Sequence, residues 1–298
     1  MAEVTLLDGG MGQELLARSG DKPTPLWATQ VMLDHPGLVR QVHADYFAVG
    51  ATVATTNTYA IHHDRLVKAG LDDRFASLHM QALAEAAAAR AEHGSGRIAG
   101  SLGPLVASYR PETHPPHDEA VAKYAEIAGL LAPVVDVFLA ETVASLAHAR
   151  AVLEGARVGG RPVWISVTVD DEDGARLRSG EPVAALGPIV ERGGAAAVLA
   201  NCSAPEAMAA ALEELARFGL PFGAYANGFQ QITKAFLKDS PTVDALAGRP
   251  EMTPARYAEF AITWVGMGAT IVGGCCETGP AHIAEIARRL KAAGHRLV

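Results

Sequence analysis

The sequence predicts a (β/α)8 barrel. Short aliphatic or β-branched runs alternate with longer segments whose apolar residues recur with the helical period, and eight such units follow one another. The polar and cysteine residues gather just after the short runs, at strand C-terminal ends, where a barrel builds its site.

The runs lie at 4–8, 51–55, 97–101, 135–141, 162–168, 195–201, 220–226 and 269–273. The first ends in Asp8-Gly9-Gly10-Met11-Gly12 and the second in Thr55-Thr56-Asn57-Thr58. The third leads through Gly100-Ser101-Leu102-Gly103-Pro104, and the fourth ends in Glu141-Thr142. The last three end in Asn201-Cys202, Asn227-Gly228 and Gly273-Gly274-Cys275-Cys276.

Between them, Leu38, Val39, Val42, Tyr46 and Val49 mark one helix, with Asp34 as its expected cap. Tyr257, Phe260, Ala261, Trp264 and Val265 mark another, with Thr253 as cap and Pro254 in its first turn. Ser203-Ala204-Pro205-Glu206 has the spacing of a capping box. The last helix is expected to begin near Thr278-Gly279-Pro280. A doubly wound open sheet is the competing architecture, but the turn after the first run lacks its G-x-G-x-x-G pattern. No linker or repeat divides the chain, so residues 1–298 read as one barrel domain. Two long connections, 108–118 and 228–253, follow strand C-terminal ends.

Of the 298 residues 49% are hydrophobic and 19% charged, enough to bury a sizeable core. A net charge of −8 argues against nucleic acid as a partner. The N-terminus lacks a basic start followed by an apolar stretch, and the most apolar region, 127–140, is interrupted by Pro133 and Asp136. A soluble cytoplasmic protein without a membrane partner is therefore expected.

Three cysteines are an odd number, and a reducing compartment disfavours structural disulfides. Cys202 precedes Cys275 by 73 positions, but their strands are next-but-one neighbours in a barrel, so the sulfurs can converge at its mouth. Adjacent strand residues face opposite sides, so Cys275 and Cys276 can share a ligand only if the chain turns; Gly273-Gly274 permits that. Soft thiolates suit zinc, and three protein ligands leave a fourth position open, as in a catalytic site. Three thiolates on a divalent cation leave a net negative site, better suited to a sulfur nucleophile than to carbonyl hydrolysis. Two other readings stand at this point: a strained vicinal disulfide, and three unrelated buried thiols.

Taken in order, Asp8-Gly9-Gly10-Met11-Gly12, Thr56-Asn57-Thr58-Tyr59, Gly100-Ser101-Leu102-Gly103-Pro104, Glu141-Thr142, Asn201-Cys202 and Gly273-Gly274-Cys275-Cys276 resemble the homocysteine S-methyltransferase family. The resemblance runs from about Leu6 to the last helix. It implies a barrel that holds Zn2+ through Cys202, Cys275 and Cys276 and transfers a methyl group to the thiol of homocysteine, forming methionine. No catalytic residue beyond the zinc ligands is expected. Glu141 is implied as a partner of the substrate ammonium, and Asp8, another acid at a strand end, suits the same role or that of a turn residue. The N–H groups of Gly10 and Met11, opening a helix, suit the substrate carboxylate. Asn201 and Ser101 are expected to brace the mouth. Asn227 is placed near the open zinc position.

The family uses S-methylmethionine, S-adenosylmethionine, betaine, or methylfolate through a corrinoid. The chain ends soon after the eighth helix, which favours a sulfonium donor, with Tyr59 or Tyr109 as an aromatic rest for its charge. A different small thiol, a betaine or corrinoid donor and a separate corrinoid partner protein stay open. From other classes, so do a thiol-binding zinc sensor and a redox switch. His62-His63 and His114-Pro115-Pro116-His117 read as solvated loop residues, and Asp170-Asp171-Glu172-Asp173 as a solvated turn without calcium-loop spacing. Glu277 departs from the family pattern, which has an uncharged or basic residue there. It is expected to face the start of the last helix.

Overall fold

The computed structural model describes residues 2–229 and 248–298; most of the connection expected over 228–253 lies outside them. Each of the eight runs overlaps a strand: β1 Glu3–Leu6, β2 Val53–Thr55, β3 Arg97–Leu102, β4 Val137–Val143, β5 Val163–Val167, β6 Ala197–Asn201, β7 Phe222–Ala226 and β8 Ile271–Gly274. They form one parallel sheet in the order β2-β3-β4-β5-β6-β7-β8-β1, curled as a (β/α)8 barrel. A ninth strand that the sequence pattern did not suggest, β9 at Arg296–Leu297, lies parallel to β1, with Glu3 opposite Arg296 and Val4 opposite Leu297.

Among the described residues β1 and β2 share no ladder, and single bonds close the seam instead. Thr52 N–H donates to Leu6 O at 2.7 Å. One turn further on, the Asp8 carboxylate accepts Thr55 N–H at 2.7 Å and Thr55 O–H at 2.8 Å. A residue predicted for the site is thus also part of the barrel closure.

Every residue of β4, β5 and β6 is buried, because helices cover the outer face and side chains fill the inside. The inner core includes Leu7, Val53, Leu139, Trp164, Leu199 and Ile271. A larger layer between sheet and helices includes Val42, Tyr46, Leu131, Val152, Ile189 and Trp264.

Two of the predicted helix starts differ in detail. Asp34 ends the helix Ala28–Asp34, where it accepts from the Gln30 side chain at 2.8 Å. The next helix, Leu38–Ala48, starts after Gly37 at φ 87°, a left-handed conformation that glycine adopts without strain. Thr253 does cap Pro254–Gly266, accepting Arg256 N–H at 3.3 Å. Ser203-Ala204-Pro205-Glu206 is no capping box. The Ser203 hydroxyl is taken by Val169, and Glu206 pairs with Arg249 at 2.8 Å. Tertiary partners outcompete the local cap there. Among the described residues no helix is long and apolar enough to cross a membrane.

Candidate metal centre and substrate cavity

The three cysteines meet at the C-terminal mouth, with their sulfurs within 4.8 Å of one another. Cys202 follows the last residue of β6, and Cys275 and Cys276 follow β8. The chain leaves strand geometry at Cys275, whose carbonyl accepts Thr278 O–H at 2.6 Å and Thr278 N–H at 3.3 Å. That turn puts both neighbouring thiols on one side. The glycine pair serves it through close approach rather than left-handed freedom. A Cβ on Gly274 would lie 2.1 Å from Thr278 Oγ1, and one on Gly273 would lie 2.5 Å from Leu7 Cβ. Neighbouring bonds pin the pair: Cys275 N–H donates to Ala226 O at 3.0 Å, and Gly228 N–H to Cys276 O at 2.8 Å.

Cys202 and Cys275 stand in disulfide contact, with Cα atoms 5.9 Å apart, and Cys276 keeps a free thiol. The vicinal Cys275–Cys276 pairing weighed from sequence does not form; the close sulfur contact is between Cys202, after β6, and Cys275, after β8. Burial pushes the Cys276 thiol up to about 11, so with no cation beside it the thiol stays protonated at neutral pH. The donor set fits a tetrahedral thiophilic metal. Zinc–sulfur bonds of about 2.3 Å set sulfurs about 3.8 Å apart, a spacing the cluster reaches when the Cys202 and Cys275 sulfurs separate. Among the described residues no other group of three His, Cys, Asp or Glu side chains converges in this way.

A cavity of about 120 Å³ opens beside the sulfurs. One water needs roughly 10–15 Å³, so the space suits a molecule the size of a small amino acid. Asp8, Gly10, Met11, Glu141 and all three cysteines line it. Both carboxyls are pushed up to about 7, chiefly by burial. In Asp8 the Thr55 bonds partly offset that and the Glu141 charge adds to it; in Glu141 bonds from Ser101 and Tyr225 offset it. Glu141 accepts the Ser101 hydroxyl at 2.5 Å and that of Tyr225 at 3.4 Å. Two acids facing one apolar cavity favour a cationic guest.

The carboxylate cradle is corrected. Gly10 N–H is spent on Thr278 O at 2.7 Å, and what brings Gly10 to the cavity is its lack of a side chain: a Cβ there would lie 2.7 Å from Cys275 O. Met11 begins the helix Met11–Ser19, so its N–H has no acceptor within the helix. Asn227 is 1% exposed, and among the described residues neither its Nδ2 nor its Oδ1 has a partner. Buried side-chain amides are normally bonded, and this one adjoins Gly228, whose N–H binds Cys276 O. It does not line the cavity itself. Asn201 braces the mouth as expected. Its Oδ1 accepts Thr142 N–H at 3.0 Å and Ser166 O–H at 2.9 Å, and its Nδ2 donates to Thr142 Oγ1 at 3.1 Å.

Sequence reasoning passed over Gln13, Trp27 and Tyr225, which also line the cavity. Gln13 meets the Cys276 thiol, and Trp27 packs with Tyr109 against the cysteines. Tyr59 and Tyr109 each carry a guanidinium near the ring, Arg65 and Arg178 respectively, both 5.8 Å from the centroid. One signal was available: Gln13 and Trp27 lie in the connection after the first strand, where a barrel gathers site residues. Tyr225 carried no such mark, because an inward-facing strand tyrosine reads as core.

Among the described residues, six non-glycine residues have positive φ: Trp27, Val106, Tyr109, Thr142, Cys202 and Glu277. All lie at or after strand C-terminal ends, and strained backbone of this kind clusters at functional sites. Glu277 is exposed and does not line the cavity. The histidine expectation holds in part. His62 is buried at 2% exposure rather than solvated, while His63 pairs with Asp72 at 2.6 Å and Glu126 at 3.3 Å. His114 stacks on His148 with centroids 4.7 Å apart, and His117 meets Glu154 at 3.1 Å.

The chain is 29% identical to the homocysteine S-methyltransferase of Escherichia coli over 311 residues, covering 96% of this chain and 95% of that one. It is 29% identical to homocysteine S-methyltransferase YbgG of Bacillus subtilis over 303 residues, covering 95% and 93%. The crystal structure of the homocysteine methyltransferase MmuM from E. coli in its metallated form superposes with a TM-score of 0.81 at 27% identity, covering 96% of each chain. Residues 5–290 match the family described as homocysteine S-methyltransferase, and the chain belongs to that family.

Proposed function

We propose that the protein binds one zinc ion through Cys202, Cys275 and Cys276 and methylates the thiol of homocysteine, forming methionine, with a sulfonium compound as donor. The observation that carries the reading is the convergence of three sulfurs beside a cavity lined by two buried acids. The chain's similarity to homocysteine S-methyltransferases supports the same activity.

When bound, zinc keeps a thiol deprotonated at neutral pH. The chain's own residues do the rest. Asp8 and Glu141 ionise on meeting the substrate ammonium and fix that end of the molecule. The free N–H groups that begin with Met11 receive the carboxylate at a helix N-terminus. Trp27 and Tyr109 cover the sulfurs and exclude water. The homocysteine sulfur forms a bond to the methyl carbon as the donor's carbon–sulfur bond breaks. The electron pair of that bond stays on the donor sulfur, which leaves as a neutral thioether, and the thiol proton has gone to solvent. Holding the two reactants in line lowers the barrier by making the reaction effectively unimolecular.

An acidic mouth attracts a cationic sulfonium donor and gives no such advantage to a neutral one. The test is zinc content together with methionine formation from homocysteine and either S-methylmethionine or S-adenosylmethionine. About one zinc per chain, lost in Cys202→Ala, Cys275→Ala and Cys276→Ala, and turnover with at least one of these donors are expected. Zinc retained in all three variants overturns the ligand set. Zinc without turnover from any donor favours the thiol-binding sensor.

A further inference from the structure

The acidic run after β5, read from sequence as a solvated turn, divides in two. Asp170 does form a turn, its Oδ1 accepting Glu172 N–H at 2.9 Å and Asp173 N–H at 3.0 Å. Asp171 instead faces inward and forms a two-pronged pair with Arg178, whose side chain is 11% exposed and that of Asp171 13%. We propose that Arg178 is a positioning residue for the cysteine site, holding the backbone on both sides of Ser203, directly after Cys202, and backing the ring that covers the sulfurs. The proposal rests on the reading that these cysteines hold a metal.

The need for such a device lies in Cys202. Its φ of 51° is left-handed, an unfavourable conformation for a residue with a side chain, so its surroundings must hold it. Its own N–H reaches Tyr225 O only at 3.4 Å. The shorter restraints come from the segment after β5. Thr168 O–H donates to Cys202 O at 3.1 Å. Ser203 Oγ accepts Val169 N–H at 2.9 Å, and Ala204 N–H donates to Asp171 Oδ1 at 2.8 Å.

Arg178 joins these restraints. Its Nη2 and Nη1 donate to Asp171 Oδ1 and Oδ2 at 2.7 and 2.9 Å, and its Nε points to Thr168 Oγ1 at 3.3 Å. Its guanidinium carbon lies 5.8 Å from the centroid of Tyr109, the ring packed on the cysteines. One side chain thus touches the hydroxyl bound before Ser203, the carboxylate bound after it, and the ring over the sulfurs. A planar fork can do this, whereas a lysine ammonium of equal charge cannot. On the same turn, Arg176 pairs with Asp173, but their side chains are 56% and 54% exposed, and the pair touches none of these groups.

The experiment measures zinc affinity of the reduced chain by competition with a chromophoric chelator. The variants are Arg178→Lys, Thr168→Val, which removes only the linking hydroxyl, and Arg176→Gln as the neighbouring control. Parent and control are expected to bind alike. The other two are expected to bind roughly 10- to 100-fold more weakly, the range seen when groups that orient metal ligands are removed. A residue that only staples the turn lowers the Tm of the zinc-free protein and leaves that affinity unchanged. Superimposable competition curves for the parent and Arg178→Lys overturn the proposal. If Arg178→Lys does not fold, the Thr168→Val curve decides in the same way. A parent that binds no zinc overturns the metal reading and this proposal with it.

Discussion

Asp8 and Glu141 carry opposite demands. Each is a buried acid that stays partly protonated near neutrality, and each is placed to hold a cation. The raised values set the pH dependence. Below about 7 both carboxyls take up a proton and lose their attraction for an ammonium, so affinity for an amino acid falls as pH falls through 7. Methionine isolates this effect because it has no thiol, and calorimetric titration from pH 8 to pH 6 is expected to show weakening. Glu141→Gln should bind methionine about 10- to 100-fold more weakly at pH 8, the cost of a hydrogen bond to a charged group. It should also flatten the pH profile. An unchanged profile in that variant removes Glu141 from the ammonium site.

Stability runs the other way. An acid whose folded value is raised from 3.8 to about 7 loses stability as pH climbs between those values, and the loss is complete above 7. Ligand-free Asp8→Asn is therefore expected to be more stable than the parent at pH 8, by up to roughly 4 kcal/mol, with the gain vanishing towards pH 4. Thermal melts across that range check it. A variant less stable than the parent at pH 8 shows that the seam bonds to Thr55 outweigh the burial of the charge.

Among the elements, the turn from Cys275 to Thr278 matters most. It works because Gly273 and Gly274 leave room for β1 and for Thr278. Gly274→Ala puts a Cβ 2.1 Å from Thr278 Oγ1, so the turn must shift. The expected outcome is a loss of about 1–3 kcal/mol in denaturant unfolding together with weakened metal binding. Gly129 is the contrast. It is exposed within the helix His117–Leu131, and a Cβ there meets nothing within 4 Å. Gly129→Ala is expected to stabilise the fold by about 0.5–1 kcal/mol without affecting the site. If both substitutions cost the same, close approach is not what the glycine pair serves.

For the whole molecule, the site draws on strands far apart in sequence: β1 and β4 supply acids, and β6 and β8 are followed by the sulfurs. A metal held there ties together both sides of the mouth and binds only the folded chain. Zinc added to reduced, zinc-free protein should therefore raise Tm with its concentration, approaching about 4 kcal/mol at a thousandfold excess over Kd. A melting curve indifferent to zinc speaks against a site assembled by the fold.

The sequence alone determined the barrel, since eight alternating periodic units leave few other ways to bury their apolar faces, and each of its eight runs overlaps a strand. It also determined that Cys202, Cys275, Cys276, Asp8 and Glu141 share the mouth, because strand ends in a barrel open on the same face. Only the tertiary structure decided who partners whom. Gly10 N–H is consumed by Thr278, Asp34 and Ser203 serve other elements than the ones they were expected to cap, and Asp171 turns inward to Arg178. Tyr225 bonds Glu141 from a strand that reads as core. The reason is physical. Periodicity reports which side of an element is apolar, whereas a hydrogen bond depends on ångström distances between groups that only the closed barrel brings together.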